Sequence, residues 1–356
     1  MARTWLMAGT LVLVAGAAAA QQADIRNAQV ETRATPIDRT VAALSGATDP
    51  IWIGWRVPMV TGPRELCGVW SDGTTTVRGA VLEERAGVPA PAATDAPVSV
   101  ANLEAGTTLI VWLRVVDGRI ERLRTVTDDC PVDGGGRQLI WLSSVSAVDS
   151  LRFLDTLLAP PALPADTHRR LATSALTAIA LHADPAADAV LDRFLTPVAD
   201  PALRNVAATW MARARGARGL TRLTDIVRAA NDAALRRTAT AAIAQTRQPD
   251  TLATLWRIAE TDADEYVRAE AMGGYAELAP ETEMTRVTAR LAGEASDTVK
   301  QRAIRGLARR PAEASVPLLV TLARTSADKT VRLEAARVLS RSNHPAAIAY
   351  LAEVLR

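Results

Sequence analysis

The chain has 356 residues, which is enough for more than one domain, and 49% of them are hydrophobic. Its formal net charge is only +2, and its basic residues are almost all arginine, so nothing in the total charge indicates a polyanion as partner. No stretch after the first 20 residues is apolar for long enough to span a bilayer. We therefore expect no nucleic-acid partner and no stable membrane insertion of the mature protein.

Residues 1–20 have the pattern of a secretory signal peptide. Arg3 precedes the apolar run Trp5–Ala15, and the small-residue stretch Gly16–Ala20 ends in an Ala-x-Ala site. The apolar run is shorter than the ~20 residues that a transmembrane helix needs, and no cysteine follows the cleavage site. We expect cleavage after Ala20 and export of the mature protein, which would be periplasmic or secreted.

Residues 21–47 are predicted to form an N-terminal segment with one short helix, Ile37–Leu44. Residues 48–146 are predicted to form a small β-rich domain, because the helical period fails there and β-branched residues become frequent. Five of the eight tryptophans occur in this domain: Trp52, Trp55, Trp70, Trp112 and Trp141.

The clearest element of the β-rich domain is a hairpin. The alternating runs Thr107–Val116 and Arg119–Thr127 are joined by Asp117-Gly118, a two-residue joint typical of β-hairpins. Ile51–Val57 and Gln138–Leu142 are further predicted strands, and the Pro- and Ala-rich stretch Glu84–Pro97 is predicted to be a loop.

The only two cysteines, Cys67 and Cys130, lie in the β-rich domain. In an exported protein an even pair of cysteines is most simply a disulfide. Such a bridge would stabilise the fold by about 4 kcal/mol, because it lowers the chain entropy of the unfolded state. Two buried free thiols are the alternative. The domain contains no histidine and the cysteines are not a C-x-x-C pair, so neither a zinc site nor redox catalysis is predicted.

Residues 147–164 are predicted to form a linking helix. Ser146 is a typical N-cap for a helix over about Val148–Leu158, and Ala159-Pro160-Pro161 ends that helix. Since the terminal unit of a stacked array needs a cover, we expect this helix to lie on the open face of the first repeat.

Residues 165–356 contain six repeated units, five of them in a step of 32 residues. Small and apolar residues at fixed offsets from one basic position fall on a single helical stripe, and a second apolar run follows in each block. An acid or hydroxyl four residues before the basic position predicts an N-cap in each unit: Asp166, Asp200, Asp232, Asp264, Ser296 and Asp328. A unit of helix, turn and helix cannot bury its own apolar stripe, so the array is predicted to be an α-solenoid.

The phrases DEYVRAEA from Asp264 and DKTVRLEAA from Asp328 resemble HEAT repeats of the short bacterial kind, also called bilin-lyase-like. The fold class is therefore predicted to be α + β with two domains, a small N-terminal β-rich domain followed by an all-α HEAT-type solenoid. The resemblance implies a structural ladder of acidic and basic residues along the stack: Asp200, Arg204, Asp232, Arg236, Asp264, Arg268, Lys300, Asp328 and Arg332. It also implies that the array is an interaction scaffold, since only a minority of HEAT arrays are enzymes.

The whole chain resembles a group of secreted bacterial proteins of unassigned activity that place a small cysteine-containing domain before HEAT repeats. The stretches that carry this resemblance are IWIGWRVPM from Ile51, VDGR from Val116, DDCPVD from Asp128 and Trp141-Leu142. The resemblance implies export and this order of domains.

Catalytic chemistry is not predicted. The three histidines, His168, His182 and His344, are scattered over the solenoid without a nucleophile at a useful spacing. His182 is close to Asp184, yet a surface histidine beside a helix end is far commoner than a metal ligand. Gly134-Gly135-Gly136 lacks the Lys-Ser/Thr of a phosphate loop and is predicted to be a turn. We therefore predict no catalytic residue, no metal site and no cofactor.

The second helices of the solenoid are predicted to form a concave wall that binds a protein partner. Arg290 occupies a position at which neighbouring units have isoleucine or leucine, so it is predicted to face a partner. The alternative is that these arginines are solvated and that the tryptophan packs in the core. The candidate partner-binding residues are Arg222, Arg228, Trp256, Arg257, Arg286 and Arg290.

Two functions therefore remain open, with a third more distant. The first is an exported, non-enzymatic scaffold that binds another protein or a peptide through the solenoid. The second is binding of a small ligand or carbohydrate by tryptophans of the β-rich domain. Trp52 and Trp55 discriminate between them, because they point to opposite faces of one strand and burial of both favours the scaffold. The third is a lyase-type enzyme by analogy with bilin lyases, which conflicts with export.

Overall fold

The structure is a computed structural model that describes residues 24–61, 66–71, 76–83, 106–159 and 165–356. The predicted signal peptide and the predicted loop Glu84–Pro97 lie outside these residues. Within them, no helix is both long enough and apolar enough to cross a membrane.

The N-terminal part of the chain forms two β-sheets and two helices. A five-stranded sheet has the order β2-β9-β3-β6-β7, and a four-stranded sheet has the order β1-β8-β5-β4. The described strands are β1 Ile25–Arg26, β2 Gln29–Arg33, β3 Ile51–Pro58, β4 Gly68–Ser71, β5 Thr76–Val81, β6 Thr108–Val116, β7 Arg119–Thr127, β8 Val132–Asp133 and β9 Gln138–Leu142. The helices are α1 Ile37–Ala42 and α2 Ala147–Thr156.

The predicted β-rich region followed by helices is confirmed. β6 and β7 pair antiparallel, and Asp117 and Gly118 at their joint have φ of 49° and 67°, the left-handed conformation that a tight hairpin turn requires. Ser146 caps α2 by accepting a hydrogen bond from the Asp149 amide. The separation at residue 48 differs from the prediction, because β1 and β2 come from residues 21–47 and pair in parallel with β8 and β9. The N-terminal segment and the β-rich region therefore form one domain, called the sheet domain below.

The strands β3, β6 and β9 of the five-stranded sheet are buried on both faces, and they carry the four tryptophans Trp52, Trp55, Trp112 and Trp141. Trp52 faces the four-stranded sheet and packs in one cluster with Trp112 and Trp141, whereas Trp55 faces the helices. Trp52 and Trp55 are both 0% exposed. The side chain of Trp70 lies outside the described residues. The four described tryptophans of the sheet domain fill its core, so none of them presents a ring on which a ligand could stack.

Cys67 and Cys130 form the predicted disulfide, with their Cα atoms 5.6 Å apart. Both cysteines belong to the buried cluster that also contains Trp52, Trp112 and Trp141. The bridge joins the residue before β4, an edge strand of the four-stranded sheet, to the segment between β7 and β8.

The C-terminal part of the chain consists of six helix pairs, as the repeat predicts. The first helices are α3 Ala165–Leu181, α5 Pro201–Ala214, α7 Ala233–Ile243, α9 Glu265–Leu278, α11 Asp297–Leu307 and α13 Lys329–Leu339. The second helices are α4 Ala186–Phe194, α6 Gly216–Ala229, α8 Thr251–Thr261, α10 Met284–Gly293, α12 Ala312–Thr325 and α14 Pro345–Val354. Five of the six predicted N-caps accept hydrogen bonds from the first turn of their helices. The exception is Asp166, which lies one residue inside α3.

Small residues allow the first helices to stack closely. The alanine three positions after each basic residue is buried in all five units with the 32-residue step: Ala207, Ala239, Ala271, Ala303 and Ala335. α9 and α11 approach most tightly, because a Cβ on Gly306 would clash with the carbonyl oxygen of Gly273. The backbone contact leaves no space for a larger side chain.

The sheet domain covers the first end of the solenoid. The Val60 amide donates to Leu181 O at 2.9 Å, and the Ala183 amide donates to Pro58 O at 3.0 Å, so the end of β3 is hydrogen-bonded to the end of α3. The inner face of the five-stranded sheet and all six helix pairs contribute to one continuous hydrophobic cluster. The cover of the first repeat is therefore the sheet as well as the predicted helix α2.

Candidate functional site

The six candidate partner-binding residues lie on three consecutive second helices, α6, α8 and α10. We call the solvent-facing side of these three helices the second-helix face. Its candidate residues occupy three different environments: a cation–π contact, ion pairs within the chain, and a cleft.

Trp256 and Arg286 form a stacked pair between α8 and α10. The guanidinium carbon of Arg286 lies 3.7 Å from the centre of the Trp256 ring. The centres of the Trp256 and Tyr275 rings are 4.9 Å apart. Trp256 is only 9% exposed, so it is a core residue, and Arg286 lies over its ring. Tyr275 donates a hydrogen bond to Glu283, and burial together with this bond raises its pKa. Arg286 Nη1 also lies 3.6 Å from Glu283, so a cation–π contact and an ion pair together hold the guanidinium over the ring.

Arg222 and Arg290 are engaged in ion pairs within the chain. Arg222 Nε lies 2.7 Å from Asp192 on the preceding second helix. Arg290 Nη2 lies 2.6 Å from Glu294, whose side chain is 7% exposed. Arg290 thus faces a buried carboxylate one turn along the chain, which explains an arginine in an apolar register without a partner protein.

Arg228 and Arg257 differ from the candidates Arg222, Arg286 and Arg290, because within the described residues neither side chain has a hydrogen-bonding or ionic partner. Both are exposed and line one cleft of about 360 Å³ at the C-terminal ends of α6 and α8, called the arginine cleft below. Its remaining lining residues are Thr224, Val227, Ala230, Arg236, Ile258, Thr261, Asp262 and Ala263.

The basic residues of the repeat mainly bond the backbone. In three units the arginine donates to the carbonyl oxygens five and six residues before it, which lie at the end of the preceding second helix. These arginines are Arg236, Arg268 and Arg332; Arg204 makes the equivalent bonds to Pro197 O and Ala199 O. Arg236 also contacts Asp262 at 3.0 Å, at the end of the second helix of its own unit, and Lys300 contacts Asp328 of the following unit at 2.6 Å. The predicted ladder is thus largely a set of helix caps, since Asp200, Asp232 and Asp264 bond the first-turn amides of their own helices.

A buried polar chain lies where the sheet domain meets the solenoid. Trp55 Nε1 donates to Ser150 Oγ at 2.9 Å, and Ser150 Oγ lies 2.9 Å from His182 Nε2. His182 Nδ1 lies 2.7 Å from Ala178 O, which requires the proton on Nδ1 and leaves Nε2 to accept from Ser150. His182 is 0% exposed, so its predicted surface position is wrong. Burial above all, with the nearby charge of Arg215, lowers the pKa of His182 to about 4.

Comparison with known families identifies the repeat. Residues 285–356 match the family model described as HEAT repeats. The matched residues run from α10 to α14, the C-terminal part of the array of helix pairs that begins with α3. No curated protein gives a significant match to the chain.

Three solved structures are similar to parts of the chain. The X-ray structure of Escherichia coli YibA is 19% identical with a TM-score of 0.35, and the match covers 48% of this chain and 64% of YibA. Human deoxyhypusine hydroxylase in complex with glycerol is 18% identical with a TM-score of 0.31, covering 58% and 91% of the two chains. An engineered protein is 20% identical with a TM-score of 0.26, covering 53% and 97%. The chain spans just under two thirds of the length of YibA.

Two of these contacts differ in how far the amino-acid sequence could predict them. Glu294 follows Arg290 by four residues, a spacing at which helical ion pairs form, so this pair had a local signal. The links of Ser150 with Trp55 and His182 join three separate segments and had none. Among the described residues, no group of histidine, cysteine and carboxylate side chains is arranged to hold a metal ion.

Proposed function

We propose that this protein is an exported, non-enzymatic scaffold whose HEAT solenoid binds another protein or a peptide through the second-helix face. The observation that carries the proposal is the state of three arginines on three consecutive helices. Arg228 and Arg257 have no ionic partner among the described residues, and Arg286 lies over the Trp256 ring, paired with Glu283 at 3.6 Å, with half of its side chain exposed. Arginines presented in this way are typical of protein interfaces, where the planar guanidinium binds carboxylates and backbone carbonyls.

The packing of the sheet domain supports a structural role for that domain. Its four described tryptophans are buried between the sheets or against the helices, and its inner face shares one core with the helices. A terminal HEAT unit needs such a cover because one of its faces would otherwise be an exposed apolar surface. Ligand binding by the described tryptophans has no support from this arrangement, because their rings are buried.

Export is supported by two features of the chain. Residues 1–20 carry the charge, apolar run and small-residue site of a signal peptide. Cys67 and Cys130 form a disulfide, a bond that persists in oxidising compartments such as the periplasm.

The test is chemical cross-linking of the native protein in its own cell envelope, followed by mass spectrometry of the captured proteins. We expect a reproducible partner cross-linked to residues of α6, α8 or α10, and loss of that partner in the double variant Arg257→Glu, Arg286→Glu. Arg290 is left unchanged in this variant because its ion pair with Glu294 contributes to the fold. Circular dichroism and thermal unfolding confirm that the variant is folded. Undiminished capture by a folded double variant would refute a partner site on the second-helix face.

A further inference from the structure

The arginine cleft has a charge that the solenoid does not use. Arg236, which also lines the cleft, is held by both oxygens of Asp262 at 3.0 and 3.1 Å and by two backbone carbonyls, so its guanidinium group is bonded within the fold. Asp262 is the only acid among the lining residues, and its side chain is 7% exposed. Arg228 and Arg257 therefore contribute two positive charges without a compensating partner among the described residues.

The helix ends beside the cleft do not consume these two charges either. The C-terminal end of α6 is capped by Arg236, which bonds Ala230 O and Asn231 O. Arg268 bonds Asp262 O and Ala263 O at the end of α8. Because these carbonyls already have donors, Arg228 and Arg257 are left as cations that face solvent across the cleft.

The apolar part of the lining limits what kind of anion fits. Val227 and Ile258 are almost fully buried and form apolar parts of the wall, and Thr224 and Thr261 turn their hydroxyls back to Leu220 O and Arg257 O. Val227 and Ile258 bring hydrocarbon to the lining, and Arg228 and Arg257 bring guanidinium groups. A glutamate side chain offers a partner to each kind of group, two methylenes and a carboxylate.

We propose that the arginine cleft binds an acidic side chain of an extended peptide segment, with Arg228 and Arg257 as the two groups that hold the carboxylate. This inference rests on the proposed function and assigns the chemistry of one contact within it. The partner of the second-helix face is then a protein that presents a glutamate-rich segment. The cleft lies at one end of the helices, whereas the stacked pair of Trp256 and Arg286 lies between α8 and α10, so the two contacts are separate.

The test uses the full chain and fluorescence anisotropy with two labelled Gly/Ser peptides, one with spaced glutamates and one with glutamine at the same positions. We expect the glutamate peptide to bind, the glutamine peptide not to bind, and the affinity to fall as sodium chloride is added. The variant Arg228→Gln, Arg257→Gln should bind the glutamate peptide about tenfold more weakly, as two partly exposed charge contacts are lost. The matched control is Arg247→Gln, an exposed arginine in the turn before α8, at the other end of that helix.

Equal binding of the two peptides, or equal weakening by Arg247→Gln and by the double variant, would overturn the proposal. Displacement of the peptide by inorganic phosphate, beyond the effect of sodium chloride at equal ionic strength, would assign the cleft to a small oxyanion and would also overturn it. The proposed function is judged separately by the envelope cross-linking. A partner captured on α6, α8 or α10 that the Arg228→Gln, Arg257→Gln variant retains would leave the scaffold standing and remove the acidic contact.

Discussion

The buried His182 makes a sharp prediction about stability and pH. Its neutral ring links the two domains, because Nε2 accepts from Ser150, which in turn accepts from Trp55. Protonation would turn Nε2 into a donor, remove the acceptor that Ser150 uses, and place a charge near the buried guanidinium of Arg215. Acid should therefore weaken the junction between the sheet domain and the solenoid.

The sign and size of this effect follow from the two pKa values. The pKa of His182 is about 4 in the folded protein, against 6.5 for an unperturbed histidine. The folded state therefore favours the neutral ring, and its contribution to stability is complete above pH 6.5 and is lost as the pH falls towards 4. At roughly 1.36 kcal/mol per pH unit, the loss amounts to about 3 kcal/mol.

The assay is urea denaturation between neutral pH and pH 4, on wild type and on His182→Gln. Glutamine keeps an acceptor near Ser150 but does not titrate in this range. We expect the free energy of unfolding of wild type to fall by about 3 kcal/mol more than that of the variant. Carboxylates with lowered pKa values, such as Asp328, are common to both proteins and cancel in the difference. Parallel pH dependences of the two proteins would refute the reasoning.

Three further predictions concern the fold. Replacing Cys67 and Cys130 by serine should lower the free energy of unfolding by about 4 kcal/mol, since the bridge closes a loop of 63 residues. Urea denaturation of the oxidised wild type and of the serine variant checks this. Gly54→Ala should cost about 2 kcal/mol, because a Cβ there would clash with the fully buried Trp112 ring, and a retained melting temperature would contradict the packing. Arg290→Glu should cost about 2 kcal/mol, since it places a second carboxylate beside buried Glu294, whereas Arg290→Gln should cost less; thermal unfolding at neutral pH compares the two.

The helical half of the fold was predictable because its signals are local and repeated. The acid or hydroxyl at the helix start, the small residue two turns later and the second apolar run recur within about 32 residues, so each unit specifies its own helices. The hairpin of β6 and β7 was predictable for the same reason, since the joint Asp117-Gly118 requires a left-handed backbone.

The remaining contacts depend on parallel pairing and on docking between segments far apart in the chain. β2 pairs with β9 across more than a hundred residues, and a short polar strand such as QVETR has no pattern that announces this. The burial of His182 follows from the docking of β3 on the end of α3. A histidine next to a helix end looks like a surface residue until the domain that covers it is in place.

The arginines of the solenoid divide by register, and this division is the strongest link between its sequence and its function. Arginines at the repeated basic position donate to the carbonyls that end the previous helix, so the array itself uses their charge. Arg228 and Arg257 stand outside that register, on second helices, and face one cleft. An anionic ligand in this cleft would give both cations the ionic partner that they lack within the described residues. A solenoid that needed only to fold would gain nothing from this arrangement, whereas a solenoid that binds an acidic segment gains both affinity and orientation from it.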